Sequence, residues 1–560
     1  MTPDLPESYY LDNVLTLFSQ VESLYTDILE PQQLGFLQTF AALSQDAKKL
    51  YIRLLNRNHL CFRQNKLHYA EIGSIDDAIG ELEQAGCLRV NAELDGATLL
   101  SLFNKAELLA IIDQPAALKK LKRAELDDYL LNQPELQASL KAQHDWLLLQ
   151  HQDDYQLCQM LFFGNLRQSM TDFVLRDLGL NQYEAYPIDP EHRAYRSQLE
   201  IQQHWLLQQL ETLLELEMPE DEASLLAAYL KRDLELLEYF ALIPDDIASD
   251  APAWHKSERL RYQIARQMER CGYLATALTL YQACLLPPGR ERSARIHAQL
   301  DRPQQALDLC LSIIKEPIDD SEVQFACQFG ARLIKRHSLD TEALIEAHRI
   351  SHQPEVLLLQ LAQQDSVEIA VAEYYDAQDG HETCYFLENS LFNGLLGLLL
   401  WDVIFAPLPG AFFNPFQYRP ADLYAHDFFD RRAGLLEDAW AGIDSNKAIR
   451  ERALDCWQRK FGLMNPLVNW QALSPAIIEL ALERIDHAHL MAIFKRQLAD
   501  LGSNCSGFPD LLHFPDAGGY CLIEVKGPGD SLQKNQQRWM QYFQQQGIPH
   551  RLAKVTWQPA

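Results

Sequence analysis

Two short apolar runs near the C-terminus, at 511–514 and 520–525, narrow the possible folds for the end of this chain. Residues 515–519, Pro-Asp-Ala-Gly-Gly, separate them, and short β-type runs around such a turn predict a β-hairpin. If the turn centres on Ala517, Asp510 and Glu524 lie opposite one another. Side-chain alternation then points Glu524 and Lys526 to the same face of the strand. The sequence therefore predicts two carboxylates and one ammonium group on one small patch.

A patch of this kind suits the hydrolysis of a phosphodiester. Divalent metal ions neutralise the charge that develops on the phosphate and activate water as a nucleophile. Mg²⁺ prefers hard oxygen ligands, so Asp510 and Glu524 are candidate metal ligands, and the backbone carbonyl of Val525 lies where it could complete the coordination. Lys526 could orient or deprotonate the attacking water, or stabilise developing charge. A capped turn beside a solvated strand edge is the alternative interpretation of the same residues.

Most of the chain before the hairpin has the spacing typical of helices. The segments 264–285 and 296–313 can be superposed at a period close to that of tetratricopeptide helix pairs, although an ordinary pair of helical hairpins would explain them equally well. Residues 243–254, rich in Pro, Asp and Ala, are predicted to be a linker. The segment 388–405 is predicted to be one strongly apolar helix. After the hairpin, 531–547 is predicted to be an amphipathic helix and 549–557 a strand.

The predicted fold is therefore mainly α and multidomain, with a C-terminal α/β domain. We expect an N-terminal helical DNA-binding domain at 1–130 and a helical connecting region at 131–250. Tetratricopeptide-like helical repeats are expected at 254–380, and the α/β domain at 385–560.

Charge first argues against a nucleic-acid partner, because the 560-residue chain has a formal net charge of −29. Local patches decide binding, however, and three windows run against the average: 46–66, 119–123 and 255–302. Each one alone could be a solvated helix face, but together they favour a surface that follows phosphates. The DNA-binding candidates in the first two windows are Lys48, Lys49, Arg53, Arg57, Arg63, Lys66, Lys119, Lys120, Lys122 and Arg123.

Other features of the sequence indicate the cellular compartment. The eleven cysteines are scattered without a Cys-x-x-Cys pair, which is typical of free thiols in a reducing compartment. The acidic N-terminal sequence does not resemble a secretory signal, and the longest apolar run is too short to span a bilayer. We therefore expect a cytoplasmic protein without a membrane partner, associated with the nucleoid if its source is bacterial.

Three segments also resemble a known family. "GFPDLL" followed by "LIEVKGPGDSLQKNQQRWM" resembles the VRR-type branch of the PD-(D/E)xK nuclease superfamily. "ENSLFNGLLGLLLWDVIF" at 388–405 and "LYIRLLNRNHLCFRQNKLHYAEI" at 50–72 resemble the corresponding stretches of the Fanconi-anaemia-associated nucleases. The resemblance extends from about residue 10 to the end, and it implies that the α/β domain is a VRR-NUC nuclease domain.

The resemblance implies a structure-selective DNA nuclease that depends on Mg²⁺ or Mn²⁺. Its substrate would be flapped or branched double-stranded DNA, cut near 5′ flaps as an endonuclease and 5′ exonuclease in interstrand-crosslink repair. Asp510 and Glu524 match the metal-binding acids of the family, and Lys526 matches its catalytic lysine. Glu388 matches a further acid that completes the metal site from a helix, and Gln536 a glutamine that helps to fix the active-site arrangement.

Two other functions remain open. A Holliday-junction resolvase could use the same nuclease core, although such enzymes need little besides that core. A helical-repeat scaffold could retain a catalytically silent nuclease domain that only binds DNA, although the intact Asp510, Glu524 and Lys526 argue against this. The sequence has no Cys/His cluster like the zinc finger of eukaryotic members, so recruitment by ubiquitin is not implied.

Overall fold

The computed structural model describes residues 9–57, 59–112, 118–168, 173, 181–216, 236–340, 342–348 and 354–558. The chain divides into two compact units. The first comprises Met1–Leu180 with Tyr195–Ile201, and the second comprises Asn181–Ala194 with Gln202–Ala560.

The first unit is built mainly from short helices around an aromatic core. They are α1 Tyr9–Tyr25, α2 Pro31–Ala42, α3 Gln45–Leu55, α4 Ile75–Gln84, α5 Gly96–Ser101, α6 Lys105–Ala110, α7 Arg123–Leu131, α8 Pro134–Gln143 and α9 Gln152–Phe163. Phe18 of α1 packs edge-to-face on Phe40 of α2, with ring centroids 4.9 Å apart, and on Tyr155 of α9 at 6.1 Å. Ser44 and Asn104 begin α3 and α6 by accepting hydrogen bonds from backbone N–H groups, as N-cap residues do.

A three-stranded antiparallel sheet completes this unit, in addition to the predicted helices. Its strands are β1 Cys61–Arg63, β2 Leu88–Val90 and β3 Trp146–Leu149, in the order β1-β3-β2. Strands of three or four residues are too short to show a period-two pattern, so the sequence did not reveal them. Because β3 lies beyond residue 130, the sheet also takes in part of the predicted connecting region.

Successive helix pairs follow in the second unit. Its first helices are α10 Gln198–Leu216, apart from the first four residues of α10, and then α11 Trp254–Arg270, α12 Leu274–Gln282, α13 Gly289–Gln299, α14 Pro303–Lys315, α15 Asp320–His337 and α16 Ala343–His348. The pairs α11–α12 and α13–α14 coincide with the two segments that match in sequence, and α15–α16 adds a pair that sequence comparison missed. Fully buried Ala277 and Ala306 leave room for the paired helices to approach. In the predicted linker, Ile243 and Ile247 are buried in the core of these helices, so the connection is packed.

The C-terminal part of this unit combines helices with a five-stranded mixed sheet, which confirms the predicted fold class. The helices are α17 Val367–Asp379, α18 Leu391–Leu399, α19 Trp401–Ile404, α20 Ala433–Trp440, α21 Asn446–Lys460, α22 Pro475–Arg484, α23 His487–Ala499, α24 Leu501–Asn504 and α25 Lys534–Gln546. The strands are β4 Val356–Leu361, β5 Cys384–Phe386, β6 Leu511–His513, β7 Cys521–Lys526 and β8 His550–Trp557, in the order β4-β8-β7-β6-β5. β8 pairs parallel with β4 and β7, and the other pairs are antiparallel.

Helices pack on both faces of this sheet. On one face, Ile523 and Val555 form a core with Val371 of α17. On the other face, Leu522 packs in a larger helical core that includes Trp539 of α25. A strand covered on both sides reads as a continuous apolar run, which is why residues 520–525 were recognisable in the sequence.

Some predicted boundaries differ from the structure. The helix predicted at 388–405 is divided at Leu400, whose φ and ψ of −107° and 21° are not helical, and the amphipathic helix begins at Lys534, after residue 531. β4 and α17 lie within the range predicted for the repeats, but β4 is a strand of the mixed sheet and α17 packs against that sheet. We therefore propose that the nuclease domain begins near residue 355. The parallel pairing of β4 with β8 spans almost 200 residues, and local periodicity cannot show such a partner.

Within the described residues, no helix is both long enough and apolar enough to cross a membrane.

Candidate active site

The hairpin that carries the predicted site forms with the expected register. β6 and β7 pair antiparallel with Leu511 opposite Ile523, and the next step along the ladder places Asp510 opposite Glu524. The connecting turn contains Gly518 and Gly519 with φ of 93° and 77°, a conformation that glycine adopts readily because it has no Cβ. The turn therefore holds the register that brings the two acids together.

Glu524 is the most deeply buried of the predicted catalytic residues. Its exposed fraction is 0%, and the ammonium nitrogen Nζ of Lys526 lies 2.8 Å from its Oε1. Apart from Lys526, no donor of the described residues bonds either oxygen of Glu524. Because a buried carboxylate with unfilled lone pairs is costly, this group still has room for a cation.

Asp510 is held against the same strand. The backbone N–H of Val525 donates a hydrogen bond to its Oδ2 at 2.8 Å. Burial raises the pKa of Asp510 to about 6, and the negative charges of Glu388 and Glu368 add to this, against the Val525 hydrogen bond and the charge of Lys526. Burial and the neighbouring Asp510 raise the pKa of Glu524 to about 8, against the opposing influence of Lys526.

These two carboxylates fit a hard divalent cation. Both would be ionised at the cost of desolvation and mutual repulsion, and a cation between them relieves both of these costs. Glu388 lies in the turn before α18, not on the predicted helix, and Asn389 donates a hydrogen bond to its Oε1 at 2.9 Å. In the part of the chain that the structure describes, no three His, Cys, Asp or Glu side chains form a group that could hold a metal ion. The structure brings Asp510 and Glu524 together, and the charge of Glu388 acts on both of them from the turn before α18.

Gln536 lies in the first turn of α25 and is mostly buried. Its Oε1 accepts a hydrogen bond from the backbone N–H of Gln533 at 2.9 Å, which closes the start of the helix. One turn later, the ring of Trp539 packs 4.2 Å from that of Phe508, two residues before Asp510. Gln536 thus begins the helix whose Trp539 packs against the chain leading to Asp510.

Glu368, on α17, is a charged neighbour of the site that the sequence analysis missed. Its charge is among the causes that raise the pKa of Asp510, and Ser366 donates a hydrogen bond to its Oε2 at 2.7 Å. The available signal was the apolar run 356–361 followed by Ser366, which is typical of a strand leading into a capped helix.

The predicted DNA-binding cations all lie in the first unit, and several of them already pair with other groups of that unit. The Arg63 side chain is only 4% exposed, pairs with Glu107 at 2.6 Å and lies over the ring of Phe103. Arg123 donates hydrogen bonds to the carbonyls of Phe103 and Leu100 and pairs with an aspartate one turn along α7. Side chains held in this way contribute to folding and are poorly placed to reach a phosphate.

The remaining basic side chains of the two windows differ in how many partners they have within the protein. Arg53 lies over the ring of Tyr10 and pairs with Glu71, and the Lys49 ammonium donates to the Glu71 carbonyl. Lys48 donates to the Ala41 carbonyl. Arg57 bonds the Tyr69 hydroxyl, and Lys66, although 60% exposed, lies 3.1 Å from Glu107. Among the lysines of these two windows, those that are exposed and form no ion pair within the described residues are Lys119, Lys120 and Lys122.

The third basic window is largely neutralised. Arg259 pairs with buried Glu211, and Arg292 pairs with buried Glu269. Arg295 pairs with Glu291 within its own helix. A count of basic residues therefore overstates the positive charge that this window presents.

Two family models and several curated proteins match this chain. The family model described as "VRR-NUC domain" matches residues 444–557, which include the hairpin and α25, and that described as "FAN1, HTH domain" matches residues 8–89. The Fanconi-associated nuclease 1 homolog of Pseudomonas aeruginosa is 32% identical over 99% of this chain and 97% of its own length. The rice homolog and the mouse Fanconi-associated nuclease 1 are 23% and 24% identical, and this chain spans 62% of the length of each.

Two solved structures match the chain over almost its whole length. A crystal structure of paFAN1 bound to DNA with a 2-nucleotide 5′ flap and a gap has a TM-score of 0.83 and 31% identity, and it covers 100% of both chains. A second structure, with a 1-nucleotide flap, has a TM-score of 0.80 and covers 99% of this chain. With this extent of similarity along the whole chain, the protein belongs to the Fanconi-associated nuclease 1 family of VRR-NUC nucleases.

Proposed function

We propose that this protein is a structure-selective DNA nuclease that cuts near 5′ flaps, as an endonuclease and 5′ exonuclease. The observation that carries this proposal is the convergence of Asp510, Glu524 and Lys526 at the end of β7, in a chain similar over its whole length to a protein crystallised on 5′-flap DNA. Flapped or branched double-stranded DNA is the substrate class, and interstrand-crosslink repair is the process in which such cutting is needed.

Asp510 and Glu524 are the residues that would hold a divalent metal, with Mg²⁺ or Mn²⁺ the best match to their hard oxygen atoms. Glu388 and the Val525 carbonyl are the further ligands that we propose. When bound, the cation supplies neutralisation of the scissile phosphate and a lowered pKa for its water. Without it, burial and the charge of Asp510 keep the pKa of Glu524 at about 8, so the acid retains its proton at neutral pH.

Lys526 performs its part from a fixed position. Its ammonium group lies 2.8 Å from Glu524, and this contact holds it at the end of β7 on the side of the two acids. A cation in this position stabilises the negative charge that accumulates on the phosphate as it is attacked. It also offers a donor that orients the attacking water. Gln536 helps indirectly, by closing the first turn of α25.

The first unit supplies the cations that we propose for DNA binding. Exposed Lys119, Lys120 and Lys122 lead this set, and Arg57 and Lys66 follow because their side chains remain accessible. Because β3 completes the sheet of this unit, we propose that the DNA-binding domain extends from residue 1 to about 180. The helix pairs from α11 to α16 then form a repeat module within the second unit.

The test is cleavage of end-labelled 5′-flap, 3′-flap, four-way-junction and plain duplex DNA with Mg²⁺, with Mn²⁺ and with EDTA. We expect metal-dependent cutting that prefers the 5′ flap and is lost in Asp510→Asn. Symmetric cutting of the four-way junction would favour the resolvase. If the protein binds flap DNA but cuts no substrate with either metal, the catalytically silent scaffold is the function that remains.

A further inference from the structure

The catalytic lysine continues into a row of side chains that crosses the sheet. Lys526 of β7 lies beside Lys554 of β8, and Lys554 lies beside Leu358 of β4. Residues paired in register on neighbouring strands point to the same face of a sheet. Lys554 and Leu358 therefore stand on the active-site face, about 4.8 and 10 Å from the line of β7 at the usual spacing of strands.

The end of this row is exposed although it is apolar. Leu358 is 76% exposed and Val356, which is in line with Glu524 through Leu552, is 45% exposed. On the opposite face of the same strand, Leu359 is buried in the core against α17. An exposed apolar pair on an edge strand is unusual, because proteins normally protect such edges with charged or polar residues.

Lys554 adds charge to the same strip. It is exposed, and no carboxylate pairs with it among the residues that the structure describes. In a chain with a net charge of −29, an unpaired lysine beside the catalytic lysine marks a local site for an anion. The strip thus continues the active site with one cation followed by an apolar surface.

We propose that the DNA strand leaves the active site over this strip, with Lys554 bound to a phosphate next to the one that is cut and Leu358 with Val356 packed against an unstacked nucleotide. Apolar side chains of this kind contact unstacked bases in other DNA-binding proteins, and a paired duplex would not offer such a surface. The inference rests on the proposed function, because the strand enters the strip from the catalytic residues.

The contact of Lys554 is tested by the salt dependence of binding. The binding of fluorescent 5′-flap DNA to the full chain in EDTA is measured by anisotropy at several salt concentrations for the wild type and Lys554→Gln. If the variant binds one phosphate of the unpaired strand fewer, the slope of log Kd against log[salt] should fall by about 0.7. Lys447→Gln, which neutralises an exposed lysine on α21, should leave the slope unchanged. An unchanged slope in Lys554→Gln would overturn the assignment.

The contact of Leu358 is tested by substitutions of opposite charge. If the strand passes over it, Leu358→Lys should bind flap DNA more tightly and Leu358→Glu more weakly, and the two should differ by about tenfold at low salt. The same pair of substitutions at Leu435, 44% exposed on α20, controls for net charge and should differ much less. Equal affinities of the two Leu358 variants would overturn the proposal.

Two further readouts separate the possible failures. If the wild type does not cut flap DNA with metal, the proposed function fails. If the wild type cuts normally while the Lys554 and Leu358 variants bind like it, only the strip fails. A wild-type dimer that Leu358→Glu dissociates in sedimentation, without a change in DNA affinity, would identify the β4 edge as a self-association surface and overturn its role in binding DNA.

Discussion

Replacing Glu524 with glutamine should stabilise the metal-free protein, and the gain should grow as the pH rises. Glu524 is fully buried, and burial with the charge of Asp510 raises its pKa from 4.5 to about 8. Between these two values the folded protein keeps a proton on Glu524 that the unfolded chain has lost. The folded state then binds more protons, so the free energy of unfolding of the wild type falls as the pH rises through this window.

The size of the effect follows from the shift. One pKa unit corresponds to about 1.4 kcal/mol, so the wild type should lose on the order of 3 kcal/mol between pH 5 and pH 8. Glutamine has nearly the same shape and no charge, so any packing cost it brings is the same at every pH. The difference in the free energy of unfolding, variant minus wild type, should therefore widen by this amount.

The assay is urea unfolding in EDTA at pH 5, 6, 7 and 8. Glu479→Gln, at an exposed position on α22, controls for the loss of one carboxylate, and its difference from the wild type should stay flat. A difference for Glu524→Gln that is equally flat would refute the reasoning. Adding Mg²⁺ or Mn²⁺ at pH 7 should stabilise the wild type by mass action but not the variant, which lacks one proposed ligand.

Three other predictions follow from the structure. Asp510→Asn should lower the cleavage rate by at least about a hundredfold, as loss of a charge-stabilising group does, with little change in the Kd for flap DNA; normal cutting would refute the site. Replacing Lys119, Lys120 and Lys122 of the first unit with glutamine should weaken the binding of flap DNA. The slope of log Kd against log[salt] should fall by about 0.9 for each phosphate that is no longer bound, and an unchanged slope would assign these lysines to a solvated face. Asp422→Asn should cost about 3–5 kcal/mol in urea unfolding, because it leaves the fully buried Arg432 without the carboxylate that pairs with it, and Arg432→Met combined with it should recover much of the loss; an equal loss in the double variant would refute the pair.

Local sequence was sufficient for the hairpin. Its register depends on a short turn with two glycines and on two apolar runs, all within about 20 residues. The positions of Asp510, Glu524 and Lys526 follow from that register and from side-chain alternation, and the structure has them as predicted.

Residues that depend on distant partners were beyond that reasoning. Glu368 reaches the site because α17 packs on the sheet, and Leu358 stands in line with Lys526 because β4 pairs with β8 almost 200 residues later. Arg63 and Arg123 looked like surface cations in the sequence, but each is held by partners from other segments. No local pattern distinguishes an arginine that is paired inside a domain from one that is free for a phosphate.

The sequence by itself therefore determined the candidate site of this protein: two acids and a lysine on one strand pair, with a family resemblance that suggested their use. Only the tertiary structure decided how far the pKa values of these acids are shifted. Burial of Glu524 at the meeting of the sheet with its covering helices raises its pKa, and long-range pairing selects which charges surround it. The physical reason is that desolvation and charge interactions depend on everything packed around a group, whereas the register of a hairpin depends only on its own turn.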